Sequence, residues 1–234
     1  MKRLVCISTL LLGLSLLAGC NGETSQTQAA KPEPVAEQET AAKPLPVGRG
    51  FDFYVLSLSW SPTWCLANDA SGRSRQCRDD RGFIVHGLWP QNERGYPEFC
   101  RTREPDRVPE ALGESLFDIM PSMGLIGHEW RKHGSCSGLS QQDYFAVLRA
   151  ASDKVRIPPA MKQTTAQRNS PQDIEASFVA ANAKLRSGAI AVTCDTGRVD
   201  EVRICLDKGL DFRPCPEIDR GGCRAESLQL PANR

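Results

Sequence analysis

The chain is nearly without net charge: 29 Lys and Arg stand against 28 Asp and Glu, for a formal charge of +1. A protein that holds nucleic acid by its backbone is usually basic overall. Any positive field here must be local, and composition alone gives no support for nucleic acid. Histidine is scarce, with 3 in 234 residues. No Gly-x-Ser-x-Gly turn is present, which weakens any serine-nucleophile reading. No cysteines stand in C-x-x-C spacing, which argues against a structural zinc site. The apolar run at Leu10–Leu17 is too short to span a bilayer.

What is present at the N-terminus reads as an export signal over residues 1–19, with Lys2 and Arg3 ahead of the apolar run. It ends in Leu-Ala-Gly-Cys20, which resembles the bacterial lipoprotein signal and implies lipid on Cys20 after cleavage. Residues 20–49 then form a lipidated cysteine and a disordered tether of Ala, Gln, Glu, Thr, Lys and Pro, which cannot bury enough surface to offset its ordering entropy. Loss of the signal leaves 27 basic against 28 acidic residues, about −1. The folded domain is expected over 50–234.

Beyond Cys6 and Cys20, eight cysteines remain: Cys65, Cys77, Cys100, Cys136, Cys194, Cys205, Cys215 and Cys223. An even number in an exported domain implies disulfides. Spacing alone leaves about 105 connectivities open.

The pattern predicts a strand over Phe51–Trp60, buried more on one face. Residues 61–80 read as a loop closed by cysteines. Gly82–Val85 reads as a short inner strand ending at His86, and 90–107 as turns. Val108–Met120 has helical spacing. Ser140 caps a helix over Gln141–Val155, and Ser170-Pro-Gln-Asp173 starts another that runs to about Arg186. Ala189–Cys194 and Val199–Leu206 pair around a turn at Asp195–Arg198, and Gly, Pro and Cys fill the tail. Strands at the ends with helices between predict an α+β domain. Trp60, Trp64 and Trp130 are expected in the core, and Arg131 in solvent.

All three histidines fall in two stretches, Phe83-Ile-Val-His-Gly-Leu-Trp-Pro90 and His128-Glu-Trp-Arg-Lys-His-Gly-Ser-Cys136. On a helix, Glu129 and His133 share one face, and His128 and Lys132 a neighbouring one. A zinc-protease arrangement needs two histidines four apart. His128 and His133 are five apart, roughly 140° around the axis at about 100° per residue, so no metal is assigned. Two imidazoles beside a carboxylate and a lysine suit phosphoryl transfer by acid and base. The cation steadies transition-state charge. Ribose supplies its own 2′-hydroxyl nucleophile, so RNA cleavage needs no cofactor.

Together the two stretches resemble the paired motifs of the ribonuclease T2 family. The likeness extends over Trp60-Ser-Pro-Thr-Trp-Cys65 and the cysteine-rich end, about residues 51–223. The resemblance implies a central antiparallel sheet flanked by helices. It also implies metal-independent endonucleolytic cleavage of single-stranded RNA through a 2′,3′-cyclic phosphate. It assigns His86 as proton donor, His133 as acceptor, Glu129 and Lys132 as stabilisers, His128 as a phosphate contact and Trp89 as a base-stacking position. Gln91 departs from the aspartate often found there, and base preference stays open. The resemblance also pairs Cys100 with Cys136. Cys65–Cys77, Cys194–Cys223 and Cys205–Cys215 complete the expected set, the last two nested about the closing strands. The expected protein is a monomer in the periplasm. It is held at the outer membrane through Cys20, with a soluble periplasmic or secreted form as the alternative. A catalytically dead RNA-binding lipoprotein and a metal-dependent hydrolase are the rivals, separable by RNA digestion with and without chelator.

Overall fold

The computed structural model describes residues 44–162 and 164–233. The export signal, Cys20 and most of the tether lie outside the described residues. Ordered packing reaches back to Gly48, which is buried, and to Arg49, whose amide donates to the Ser137 carbonyl (2.8 Å).

Three strands carry the site. β1 (Phe53–Trp60) pairs antiparallel with β2 (Phe83–Gln91) on one side and with β5 (Arg198–Leu206) on the other. β1 is buried on both faces rather than mainly one, because protein covers both sides of it. One face carries Tyr54, Leu56, Leu58 and Trp60 with Val85, Leu88, Val202 and Ile204, all within the main core. The opposite face carries a small apolar cluster of Phe53, Val55, Cys205 and Cys215, with Trp89 against it.

β2 does not end at His86 but runs on to Gln91. Its register against β1 jumps from Leu58↔Val85 to Ser57↔Gly87, so His86 is an extra residue without a partner. This is a β-bulge, a local device that re-aims side chains. It turns His86 onto the same face as Gly87 and Trp89.

The sheet order is β2-β1-β5-β6-β3, with β4 (Ile190–Asp195) also on β5, β6 at Leu228–Leu230 and β3 at Gln167–Asn169. Pairing is antiparallel except between β5 and β6, which meet in parallel at Arg198↔Gln229. The expected closing pair is thus β4 and β5, while β3 and β6 carried no sequence signal.

The 61–80 stretch is helical where a loop was expected. α1 (Ser61–Asn68) carries Pro62 in its first turn, and α2 (Arg75–Arg78) starts under the Ser74 side chain, which accepts from the Cys77 amide. Trp64 on α1 is 39% exposed, not core, whereas Trp60 and Trp130 are fully buried. The expected 108–120 helix is only α3 (Glu110–Glu114). Beyond it Leu116, Phe117 and Ile119 donate to carbonyls three residues back, a tighter winding that still buries Leu116 and Met120.

α4 (Met123–Lys132) is capped by Ser122, α5 (Gln141–Lys154) by Ser140 and α6 (Pro171–Ala181) by a Ser170–Asp173 capping box. α6 stops five residues before Arg186 because the Asn182 side chain donates to the Phe178 and Arg156 carbonyls (2.9 and 2.8 Å). α7 (Pro216–Arg220) lies in the tail. The fold is therefore α+β, a central sheet flanked by helices. The disulfides Cys65–Cys77, Cys100–Cys136, Cys194–Cys223 and Cys205–Cys215 are all formed, as expected. Among the described residues no helix is long and apolar enough to cross a membrane.

Candidate active site

The two histidine stretches meet across the sheet. α4 ends at Lys132, and His133 is its C-cap residue, followed by a 3-10 turn over Gly134–Cys136. His133 is thus still wound on the helix, and Glu129 sits four residues before it. Gly134 is tightly held: a Cβ there would come within 2.5 Å of the Trp130 ring and 2.8 Å of Tyr144.

The cleft between β2, α4 and β5 has a volume of about 460 Å³. His86, Trp89, Gln91, His128, Glu129, Lys132 and His133 all line it. The seven catalytic and substrate-binding residues expected from the sequence are therefore in one place. Tyr96, Asp200, Glu201 and Arg203 join them.

Glu129 is 1% exposed. Its Oε2 accepts from Trp89 Nε1 (2.7 Å) and its Oε1 lies 3.5 Å from His86 Nε2. It can come so close to the strand because residue 87 is glycine: a Cβ there would overlap Glu129 Oε2 and come within 2.6 Å of Trp89 Nε1. Burial pushes the Glu129 carboxyl up to about 7, although the charge of His86 and the Trp89 hydrogen bond pull it down.

His86 is bonded through Nδ1 to Glu201. Burial by itself would lower its pKa. The hydrogen bond and charge of Glu201, with the charges of Glu129 and Asp200, instead hold it above the ordinary histidine value. His133 has the opposite setting. Its ring stacks on Trp89 at 5.2 Å and 27°. Its Nδ1 is buried with no hydrogen-bond partner among the described residues. Burial, with the charges of Lys132, His86 and His128, lowers its pKa to about 3. One imidazole is therefore biased toward its charged form and the other toward its neutral form within one cleft.

His128 is exposed, and burial together with Lys132, Arg131 and His86 keeps it below its usual value. Lys132 lies 3.8 Å from Glu98, a loose surface pair of small energetic weight. Trp89 is shared between the Glu129 hydrogen bond, the His133 stack and Arg203, whose guanidinium lies 5.1 Å from the ring centre. Gln91 is 5% exposed and its amide donates to the Pro90 carbonyl (3.1 Å). Tyr96, 53% exposed, is the freer aromatic surface at this cleft.

Sequence reading missed Glu201, Arg203 and Tyr96. A signal for the first two was present. Glu201 and Arg203 alternate with Val202 and Ile204 in the stretch 199–206, which is apolar apart from them and Asp200, so one face of an inner strand must bury a carboxylate or lead it to a site.

A ribonuclease from Aeromonas hydrophila is 49% identical over 108 residues, 46% of this chain and 48% of that protein, so the chain spans about half of that relative's length. A solved ribonuclease-related protein from Calystegia sepium superposes with a TM-score of 0.64 at 22% identity, over 80% of this chain and all of that one. A structure titled RNase NT in complex with 5′-AMP superposes with a TM-score of 0.57 at 23% identity, over 78% and 99%. At these identities the two superpositions speak for the fold. The family model for the ribonuclease T2 family matches residues 51–215, which contain both histidine stretches and all but the last cysteine of the disulfide set, and the chain belongs to that family.

Proposed function

We propose that this protein is an endoribonuclease that cleaves single-stranded RNA by attack of the 2′-hydroxyl on the adjacent phosphorus, leaving a 2′,3′-cyclic phosphate. The observation that carries the reading is the unequal setting of His86 and His133 in one cleft with Glu129 and Lys132. Neutral His133 accepts the 2′-hydroxyl proton. Charged His86 donates a proton from Nε2 to the departing 5′-oxygen. Lys132 stabilises the charge that builds on the phosphoryl oxygens. Glu129, with a pKa near neutrality, can share a proton with one of those oxygens. His128 at the cleft edge contacts phosphate, and Trp89, Gln91 and Tyr96 receive the base. The nucleophile belongs to the substrate and both proton transfers belong to imidazoles, so no metal is called on.

The pH dependence follows from the signs. The base must be neutral, so the rate falls as pH drops through the lowered His133 value. The acid must be charged, so the rate falls as pH rises through the raised His86 value. The profile should be a broad bell.

Localisation belongs to the same reading. The export signal and Leu-Ala-Gly-Cys20 support a periplasmic protein tethered to the outer membrane by lipid on Cys20. Wholly soluble periplasmic recovery with an unmodified N-terminus would contradict the anchor.

The test of the activity is digestion of defined RNA and DNA oligonucleotides by purified protein, with and without chelator, and with product ends identified. The expected result is RNA cleavage that survives the chelator, yields 2′,3′-cyclic ends and spares DNA. Failure to cut RNA, or loss of cutting with chelator, overturns it.

A further inference from the structure

The strongest arrangement outside the two histidine stretches is on β5. Glu201 is 4% exposed, on a strand 115 residues from His86 in sequence. Two strands separate by one in the sheet, β2 and β5, present His86 and Glu201 across β1. The space between them is left by small side chains: Ser59 is the β1 residue opposite Glu201, and Ser57 is opposite Arg203. Ser59 Oγ lies 3.3 Å from His86 Nδ1. A larger residue at position 59 would fill the gap that the imidazole crosses.

Glu201 is itself held. Its Oε1 faces His86 Nδ1, while its Oε2 accepts from Arg203 Nε (2.9 Å) and Nη2 (2.8 Å). Two charge-assisted donors on Oε2 and the imidazole on Oε1 leave the carboxylate little freedom. The same guanidinium lies against the Trp89 ring. The chain of contacts therefore runs from Trp89 through Arg203 and Glu201 to His86.

We infer that Glu201, clamped by Arg203, is a positioning residue that directs His86: it accepts the hydrogen bond from Nδ1–H and so leaves Nε2 as the nitrogen that serves the cleft. The inference rests on the proposed acid role of His86. In the first step Nε2–H gives its proton to the departing 5′-oxygen while Nδ1–H stays on Glu201. The ring is then neutral with Nε2 bare, which is the tautomer able to accept a proton from water when the cyclic phosphate is opened. One fixed hydrogen bond thus serves both half-reactions without a ring flip. The charged and titratable groups that share the cleft with His86 are Asp200, Glu201 and Arg203 from β5, His128, Glu129, Lys132 and His133 from α4 and its end, Tyr96 from the loop after β2 and Glu217 from α7. Of the carboxylates among these, Glu201 alone reaches Nδ1, while Glu129 lies on the Nε2 side. The hydrogen bond and charge of Glu201 are also what offset the burial of His86.

The experiment is E201Q, which keeps shape and removes charge, compared with wild type by histidine 15N NMR titration and by kcat and KM against pH on a dinucleotide. His86 in E201Q should titrate at least about one pH unit lower. The alkaline limb of kcat should move down by the same amount, and kcat should drop about 10- to 10³-fold with KM changed less than about threefold. E201A should lose the Nδ1–H resonance altogether. A folded E201Q with His86 titration and the alkaline limb both unmoved overturns the inference. Should the variants not fold, the wild-type spectrum alone decides: a downfield, slowly exchanging Nδ1–H on His86 is expected, and neutral His86 protonated on Nε2 instead would refute it. The NMR titration needs no turnover, so an inactive wild type would sink the ribonuclease reading while leaving the His86–Glu201 contact testable.

Discussion

His86 and His133 face the same cleft and sit in opposite environments. Burial acts on both in one direction, against charge. The strand histidine has a carboxylate on each side, Glu201 at Nδ1 and Glu129 near Nε2. The helix histidine has an indole face, a neighbouring lysine and, among the described residues, no acid partner at Nδ1. Two identical side chains are therefore pushed in opposite directions, one toward the charged form and one toward the neutral, by what is packed against them. The imidazole itself carries no role; the sheet and the helix end confer it.

The comparison breaks most directly if either imidazole is removed. His86→Ala and His133→Ala should each lower the rate on the order of 10²–10⁴-fold, and the double variant should fall far short of the product because the two act as a unit. A double variant that still forms 2′,3′-cyclic ends at the wild-type rate would sink the assignment. Rates of both variants and of the double on one RNA make the check.

A smaller effect comes from moving the group between them. Gly87→Ala places a methyl where the Glu129 carboxylate lies, forcing Glu129 and Trp89 away from β2. Displacement of that size should cost about 10²-fold in kcat/KM. A Gly87→Ala enzyme of wild-type activity whose Trp89 indole N–H resonance has shifted would show that the Glu129 position does not matter.

The two settings can also be brought closer. Lys132→Ala removes a cation that disfavours charged His133, so the His133 pKa should rise and the acid limb should move to higher pH. Turnover should fall more than substrate affinity, because the lysine acts on transition-state charge. A pH profile with an unmoved acid limb would remove Lys132 from the His133 environment.

The last test addresses the frame rather than the chemistry. Cys100–Cys136 joins the loop after β2 to the turn that follows His133. Replacing both by serine should lower stability by about 2–4 kcal/mol, read by denaturant unfolding. Unchanged stability would mean that the helix end is held without it.

The helix half of this site was legible because its groups lie within nine residues and α-helical winding alone brings Glu129 beside His133. Lys132, His128 and Trp89 follow from the same two short runs, and Gln91 from the position just after the first. Glu201 was not legible as a partner, because nothing local links residue 201 to residue 86; only strand order and the small Ser57 and Ser59 join them. The four disulfides needed family likeness at Cys100–Cys136, since spacing permits many pairings. α1 was lost because Pro62 was read as a turn residue, when proline also suits a first helical turn. Trp64 was misplaced for the related reason that a large ring was assigned to the core, whereas on α1 its neighbours Thr63 and Cys65 face inward.

The bulge at His86 makes residue count, not only residue type, part of this molecule's chemistry. Val85 and Leu88 both face the main core although they are three apart, an odd interval that a regular strand forbids. One residue fewer between them would restore even alternation, and either His86 or Gly87 would vanish from the cleft side. One residue more would swing the indole at position 89 out of phase with β1. The strand from Phe83 to Gln91 should therefore accept many side chains outside the cleft but tolerate no change of length, and a single-codon deletion there should be far more damaging than any single conservative substitution on its core face. Soluble yield and RNA digestion across such a deletion and substitution series would measure that intolerance.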